Sequence, residues 1–201
     1  MGRGRFILTP PTFPYSMEIN NISGKTSHSI PPDLREILSN SFYIRTTLIR
    51  KNGSPRTIET TFVWDGGNKL ILSGYPGKRD WVASMSRNSS VTVHSVEFEP
   101  WCDIPATALV IRNLDEKLPR IISFIEHWAL RPGFPRTRFK FLLGAVKTNR
   151  SLKLPWWGPF LLAKKIFNGM PCVEITFSGE PVRRIEGGPP PLSEPREDRP
   201  F

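Results

Sequence analysis

Residues 42–73 hold three strand-like segments separated by two glycine turns, and this stretch constrains the fold more than any other. The first segment alternates two sets of side chains: Phe42, Ile44, Thr46 and Leu48 against Tyr43, Arg45, Thr47 and Ile49. Such alternation of β-branched and aromatic residues is typical of a strand. Asn52-Gly53 is a strong hairpin signal, and a second turn follows at 65–68. Because short turns join antiparallel neighbours, the stretch predicts a three-stranded meander, with return strands over 56–64 and 69–73.

The rest of the chain alternates short helices with further strands. Pro31-Pro32-Asp33 opens a helix that we expect to end near residue 40. Similar patterns predict helices over 80–87 and 116–129, and strands over 91–96, 104–111 and 170–177. The order of these elements predicts a mainly β fold with α additions, built as a small antiparallel β-barrel of about six strands.

The length of 201 residues suits one domain with a sizeable core. We expect an irregular, proline-rich arm over residues 1–30, a single domain over 31–179 and a disordered tail over 180–201. No apolar run approaches the roughly 20 residues that cross a bilayer. The first residues also lack the pattern of a secretory signal, so we expect a cytoplasmic protein.

Positive charge is concentrated in one part of the chain. The sequence has 28 Lys and Arg against 18 Asp and Glu, a net charge of +10 that favours anionic partners. Residues 131–165 contain no acid and nine cations: Arg131, Arg136, Arg138, Lys140, Lys147, Arg150, Lys153, Lys164 and Lys165. We interpret this basic, aromatic segment as an insertion or flap that covers the substrate. Contact with an anionic membrane surface is the alternative, and nucleic acid is a less favoured partner.

Residues 73–81 read Ser-Gly-Tyr-Pro-Gly-Lys-Arg-Asp-Trp and lie between a short apolar strand and a helix. The glycines and proline are turn signals, and Asp80 is placed to cap the helix. Lys78 and Arg79 stand beside the helix N-terminus, where backbone N–H groups without helical partners attract anions. The pattern predicts a cradle for a phosphate or carboxylate. A solvated turn with a helix cap is the alternative.

No set of residues stands out as a catalytic unit, so the catalytic residues are unknown at this stage. His28, His94 and His127 are interpreted as structural or solvated side chains. Cys102 and Cys172 are far apart and lack histidines at metal-ligand spacing. We therefore expect reduced thiols, with neither a disulfide framework nor a metal site.

Four passages, over 46–56, 62–67, 73–81 and 88–93, resemble the split β-barrel flavin and deazaflavin oxidoreductases. This superfamily includes pyridoxamine-phosphate oxidase and the deazaflavin-dependent nitroreductases. The first passage resembles its strand, basic turn and strand, and the second its next turn. The third resembles its cofactor-phosphate loop. The fourth, Asn-Ser-Ser-Val-Thr-Val, resembles its Asn-Pro-Xaa-Val-Xaa-Val with Ser89 in the proline position.

This resemblance implies a six-stranded antiparallel split β-barrel, an FMN-binding type of fold that pairs into a homodimer. The implied cofactor is a deazaflavin coenzyme of the F420 type, with FMN as the alternative. Together with the charge pattern, it implies these cofactor-binding residues: Arg50, Lys51, Arg56, Ser73, Gly77, Lys78, Arg79 and Trp81. For Trp81, a role as core anchor of its helix is the alternative.

The predicted function is that of a deazaflavin- or flavin-dependent oxidoreductase, similar to the nitroreductases, that acts on a small organic substrate. In such an enzyme the cofactor carries the hydride and the protein supplies position and electrostatics. The alternative is a split-barrel protein that holds a cofactor, haem or lipid without turnover. Both functions use the same binding residues, so the sequence does not separate them.

Overall fold

The alternating stretch forms half of a closed β-barrel in the computed structural model, which describes residues 30–129, 136–152 and 161–193. The first elements are α1 (Pro32–Asn40), β1 (Tyr43–Ile49), β2 (Pro55–Trp64), β3 (Lys69–Ser73), α2 (Asp80–Arg87), β4 (Ser90–Ser95) and β5 (Cys102–Val110). They are followed by α3 (Leu114–Ala129), α4 (Arg136–Ser151), α5 (Leu161–Gly169), β6 (Cys172–Phe177) and β7 (Val182–Arg183).

Six strands close the barrel in the order β4-β1-β2-β3-β6-β5, because β4 also pairs with β5. Every pairing is antiparallel. The strand β2 changes partner along its length: residues 55–61 pair with β1, and residues 62–64 pair with β3. The predicted mainly β fold, an antiparallel split β-barrel with α additions, is confirmed.

The barrel interior is filled by the apolar side chains that alternate along the strands. In β1, Ile44, Thr46 and Leu48 are at most 1% exposed, as the period-two pattern predicts. Fully buried residues of the other strands complete this core: Leu70, Leu72, Val93, Ile104, Val173 and Ile175. Burial of apolar side chains, at about 1.5–3 kcal/mol each, is the main stabilising term.

Helices close the ends and one outer side of the barrel. The α1 stripe of Leu34, Ile37 and Leu38 is buried, and Leu34 packs into the barrel core. Met85 of α2 packs into the same core. A separate apolar cluster, which includes Ile121 of α3 and Phe167 of α5, lies outside the barrel wall. The short helices therefore hold the loops between the strands in place.

Two parts of the chain differ from the expectations or extend them. The stretch over 139–146, whose pattern fits strand or helix, lies in α4. We expect disorder from residue 180, whereas residues 180–193 follow the barrel surface and β7 pairs with the start of β5. Polar contacts, described below, hold this proline-rich segment. The predicted arm over 1–29 and residues 194–201 lie outside the described residues.

Within the described ranges, no helix combines the length and the apolar character that spanning a lipid bilayer requires.

Candidate anion-binding site

A cavity of about 480 Å³ lies between the β1–β2 turn and one face of α2. The side chains that give it its chemical character are Arg50, Lys51, Arg56, Asp80, Ser84 and Arg87. Among the described residues, four cations thus surround the cavity with a single carboxylate. Such a cavity attracts an anion and lies in the size range of small-molecule sites, about 300–1,000 Å³.

The β1–β2 hairpin turn determines where three of the cations lie: Arg50, Lys51 and Arg56. Gly53 has a φ of 82°, and its N–H donates to the carbonyl of Arg50 at 3.0 Å. The Asn52 side-chain oxygen accepts from the Ser54 backbone N–H at 3.1 Å and closes the turn. The Arg50 N–H also donates to the carbonyl of Ser54 at 2.9 Å, so the hairpin has a three-residue loop with glycine in the left-handed position.

Strand register directs Arg50 and Arg56 to the same side. Leu48 lies opposite Arg56 in the ladder, and directly opposed residues share a face of the sheet. Since Leu48 is buried inside the barrel, Arg56 begins the inward-facing series of β2. By the same period of two, Arg50 continues the inward-facing series of β1. Both arginines therefore stand at the mouth of the barrel.

Arg50 carries an unsatisfied polar atom. Its Nε is buried and has no hydrogen-bond partner within the part of the chain that the structure describes. A buried donor without a partner costs about 1–3 kcal/mol, and more when it belongs to a charged group. An anion in the cavity would supply the missing acceptor.

The helix α2 supplies the opposite wall. Ser84 and Arg87 follow Asp80 by four and seven residues, a spacing that places all three on one helical face. Arg87 Nη2 donates to Ser84 Oγ at 3.4 Å. The sequence prediction did not include Arg87. The helical spacing from Asp80 was the available signal, but it identifies a face only once the position of the helix is known.

No residue of the predicted loop over 73–79 lines this cavity, although the sequence prediction placed the loop beside the β1–β2 turn. Ser73 is buried and its hydroxyl donates to the carbonyl of Pro171 at 2.7 Å. The Gly77 N–H donates to the carbonyl of Gly169 at 2.9 Å. Both donors are therefore engaged within the protein, because α5 ends against this loop.

The two cations of the loop lie outside the cavity lining. Lys78 is exposed, and Arg79 Nη2 donates to the carbonyl of Tyr75 at 3.3 Å. The prediction that Asp80 caps α2 is wrong: Arg79 is the N-cap residue, and no side chain caps the helix. Trp81 is half-buried and packs against the barrel core, as its alternative role of core anchor requires.

A second polar cluster lies on the outer face of the barrel. His94 is 4% exposed, and its Nδ1 lies 2.6 Å from Asp103 Oδ1. Its Nε2 lies 2.8 Å from Thr47 Oγ1, which in turn lies 2.9 Å from Thr57 Oγ1. Arg184 Nε donates to both Asp103 oxygens at 2.8 Å. A continuous chain of hydrogen bonds thus crosses four strands.

Opposing effects set the charges in this cluster. Burial lowers the pKa of His94, although the hydrogen bond and charge of Asp103 act in the opposite direction. For Asp103, burial raises the pKa, but the hydrogen bonds from Arg184 and His94 outweigh burial and the pKa is lowered. A neutral His94 beside an ionised Asp103 carries its proton on Nδ1 and accepts from the Thr47 hydroxyl at Nε2.

The cavity geometry does not test the predicted roles of the basic segment or the predicted homodimer. The basic segment over 131–165 contains α4 and the start of α5, and its roles as substrate flap or membrane-contacting surface stay predictions. The homodimer also stays a prediction. The cavity lining given above consists of residues from the β1–β2 turn and α2.

Comparison with known proteins supports the fold. No protein-family model matches the chain, and no curated protein sequence matches it. Among solved structures, the protein Atu2129 of unknown function from Agrobacterium tumefaciens has a TM-score of 0.50 and 14% identity, covering 79% of this chain and 59% of that protein. The chain therefore shares its fold with a solved structure at low sequence identity.

Two other solved structures are similar to this chain at lower TM-scores. An F420 reductase has a TM-score of 0.45 and 13% identity, covering 76% of this chain and 98% of that one. The heme storage protein HutZ from Vibrio cholerae has a TM-score of 0.47 and 10% identity, covering 76% of this chain and 92% of that one. The structural neighbours are split-barrel proteins of the pyridoxamine-phosphate-oxidase type, and this fold is the one predicted from the sequence.

Proposed function

We propose that the protein binds a flavin-type cofactor through its phosphate in the cavity between the β1–β2 turn and α2. The cofactor is a deazaflavin coenzyme of the F420 type or FMN, and the protein acts as an oxidoreductase on a small organic substrate. The observation that carries the proposal is the buried, unpartnered Nε of Arg50 in a cavity with four cations.

The cavity residues fit an anionic group better than a neutral one. Guanidinium groups donate in a fixed fork that matches phosphate oxygens, and charge-assisted hydrogen bonds are about twice as strong as neutral ones. Arg50 and Arg56 approach from the barrel mouth, while Arg87 approaches from α2. The phosphate would be held from two sides, which orients the rest of the cofactor.

When bound, the cofactor supplies the hydride chemistry, and the protein contributes binding, orientation and electrostatics. Arg50, Arg56 and Arg87 hold the phosphate, and Ser84 Oγ offers a further hydroxyl donor at the α2 wall. Lys51 is exposed at the turn and adds charge at the entrance. This division of labour accounts for a cavity that is rich in cations and contains no described histidine.

Cofactor titration of the purified protein tests the proposal. We expect saturable binding of FMN or of the deazaflavin coenzyme, weakened about tenfold or more in Arg50→Ala and Arg56→Ala, because a hydrogen bond to a charged group contributes about 1.5–3 kcal/mol. Lys78→Ala and Arg79→Ala are matched controls, since each removes one cation next to the cavity but outside its lining. No saturable binding of either cofactor would refute the proposal.

The loop variants also test the alternative location. If Lys78→Ala and Arg79→Ala weaken binding while Arg50→Ala does not, the phosphate site is the 73–79 loop and the cavity assignment is wrong. Reduction and reoxidation of the bound cofactor then separate an oxidoreductase from a binding protein without turnover. A cofactor that binds but is never reduced by any donor would favour the binding protein.

A further inference from the structure

The C-terminal residues 180–193, called the C-terminal strap below, cross the outer face of the barrel. Near the start of the strap, Val182 and Arg183 of β7 lie opposite Asp103 and Cys102 of β5. It ends at Ser193, beside Thr57 of β2. The strap therefore links two strands on opposite sides of the closed six-stranded barrel, with β4 and β1 between them.

The far end of the strap holds the strand that carries a cavity arginine. The Ser193 N–H donates to the carbonyl of Thr57 at 3.1 Å, and the Thr57 N–H donates to Ser193 Oγ at 2.9 Å. Thr57 directly follows Arg56, whose side chain lines the cavity. Both backbone groups of Thr57 are thus paired with the strap.

Leu48 anchors the base of the hairpin tip over residues 48–56 in the barrel core, but the tip pairs with few other strands. The pairing of β1 with β4 covers residues 44–47 only, and the pairing of β2 with β3 begins at residue 62. Beyond these limits, the two arms of the tip form ladder pairs only with each other among the described strands. A two-stranded hairpin is marginally stable by itself. The strap therefore adds a polar restraint next to the tip, through the two hydrogen bonds between Ser193 and Thr57.

Polar contacts hold the middle of the strap. Arg184 Nε bonds both oxygens of Asp103, and Arg184 Nη1 donates to the carbonyl of Gly188 at 3.1 Å. Arg45 Nη1 donates to the carbonyl of Pro190 at 2.8 Å. The apolar side chains of the strap contribute little, since Ile185 is 96% and Val182 is 61% exposed. Segments with little apolar burial open at low free-energy cost.

We propose that the C-terminal strap positions the cationic hairpin tip, so that attachment of the strap and binding of an anion in the cavity favour each other. Arg184 and Ser193 are positioning residues: they touch neither the cavity nor its ligand and act through Asp103 and Thr57. The proposal rests on the proposed function of the cavity. Coupling of this kind is reciprocal, so a bound anion must also hold the strap more firmly.

FMN titration and hydrogen exchange of the full chain test the coupling. We expect Arg184→Ala and Ser193→Ala to weaken FMN binding by about threefold to tenfold, the range that one hydrogen bond controls. Amide exchange over residues 48–58 should become faster in both variants, while that of β6 stays unchanged. In the wild-type protein, FMN should slow exchange over residues 182–193.

Two matched variants separate positioning from general stability. Ser193→Thr retains the hydroxyl acceptor and should restore wild-type affinity, whereas Ile185→Ala removes an exposed strap side chain and should change nothing. Wild-type FMN affinity in both Arg184→Ala and Ser193→Ala overturns the coupling and leaves the proposed function intact. Unchanged exchange over residues 48–58 in these variants overturns it as well. If wild-type protein binds no FMN and inorganic pyrophosphate also fails to bind, both proposals fall together.

Discussion

His94 shows how a single buried side chain is satisfied in this barrel. Both of its ring nitrogens are hydrogen-bonded, to Asp103 and to Thr47, although only 4% of the residue is exposed. A buried polar group with partners is tolerated, whereas the charged form of a buried imidazole is disfavoured. The sequence interpretation of His94 as a structural side chain agrees with these contacts.

The pKa of His94 predicts how stability depends on pH. Because burial lowers this pKa below its ordinary value of about 6.5, the unfolded chain takes up the proton first as the pH falls. The stability that neutral His94 contributes is complete above about pH 6.5 and is lost as the pH falls towards the folded pKa. Urea denaturation between about pH 5 and pH 7.5 should therefore show a free energy of unfolding that rises with pH.

The His94→Gln variant should flatten this dependence, whatever its absolute stability. The control is Leu34→Ala, which lowers stability without removing a titratable group and should retain the slope of the wild-type protein. A slope that is the same in His94→Gln and wild type would show that another group controls the titration.

At the scale of elements, α1 depends on tertiary packing. It has nine residues and no side-chain cap, so its own hydrogen bonds leave it marginal as an isolated helix. Leu34 is fully buried in the barrel core, and Ile37 and Leu38 lie on the same stripe. The helix is therefore stabilised by the barrel that it covers.

We expect Leu34→Ala to lower the free energy of unfolding by about 2–5 kcal/mol, because it removes buried methyl groups and leaves a cavity. Chemical denaturation measures this change. The matched control is Glu36→Ala, which alters an exposed position of the same helix and should change stability by less than about 0.5 kcal/mol. Equal losses in the two variants would contradict the packing of α1 into the core.

The loop over 73–79 shows that a local sequence pattern can predict a turn without predicting what the turn binds. The turn signals over 73–79 correctly predict the end of β3 and the start of α2. The backbone donor of Gly77 is nevertheless used by Gly169, at the end of a helix 92 residues further along the chain. No local pattern could show this, because the partner comes from a remote part of the sequence.

At the scale of the whole molecule, positive charge attracts anions to the protein in general and to the cavity in particular. The chain carries a net charge of +10, and the cavity gathers four of its cations. Exposed charges are screened by salt, with a Debye length of about 10 Å at 0.1 M. Part of the attraction for an anion should therefore depend on ionic strength.

We expect the FMN affinity to fall steadily as KCl is raised from about 0.05 to 0.5 M, because both long-range attraction and the exposed Lys51 are screened. Isothermal titration at each salt concentration measures this dependence. The Lys51→Ala variant is the comparison, and its affinity should vary less steeply with salt. An affinity that is independent of salt would mean that apolar contacts, and not charge, dominate binding.

The sequence by itself determined strands β1 to β6, the hairpin turns, the helices α1 to α3 and a small antiparallel barrel with α additions. These follow from periodicity and turn residues, which act over a few positions and leave direct marks in the chain. The split form of the barrel came from the resemblance to a known superfamily. The charge pattern and the resemblance also singled out Arg50, Lys51 and Arg56, which line one cavity because all three lie within one hairpin.

Tertiary structure alone decided which other residues meet these three cations. Arg87 reaches the cavity only because α2 packs Met85 into the barrel core. Arg184 meets Asp103 across 81 positions of sequence, and Arg45 meets the Pro190 carbonyl across 145. Such contacts form because the closed barrel brings distant segments together. The spacing of residues along the chain does not predict which distant segments will meet.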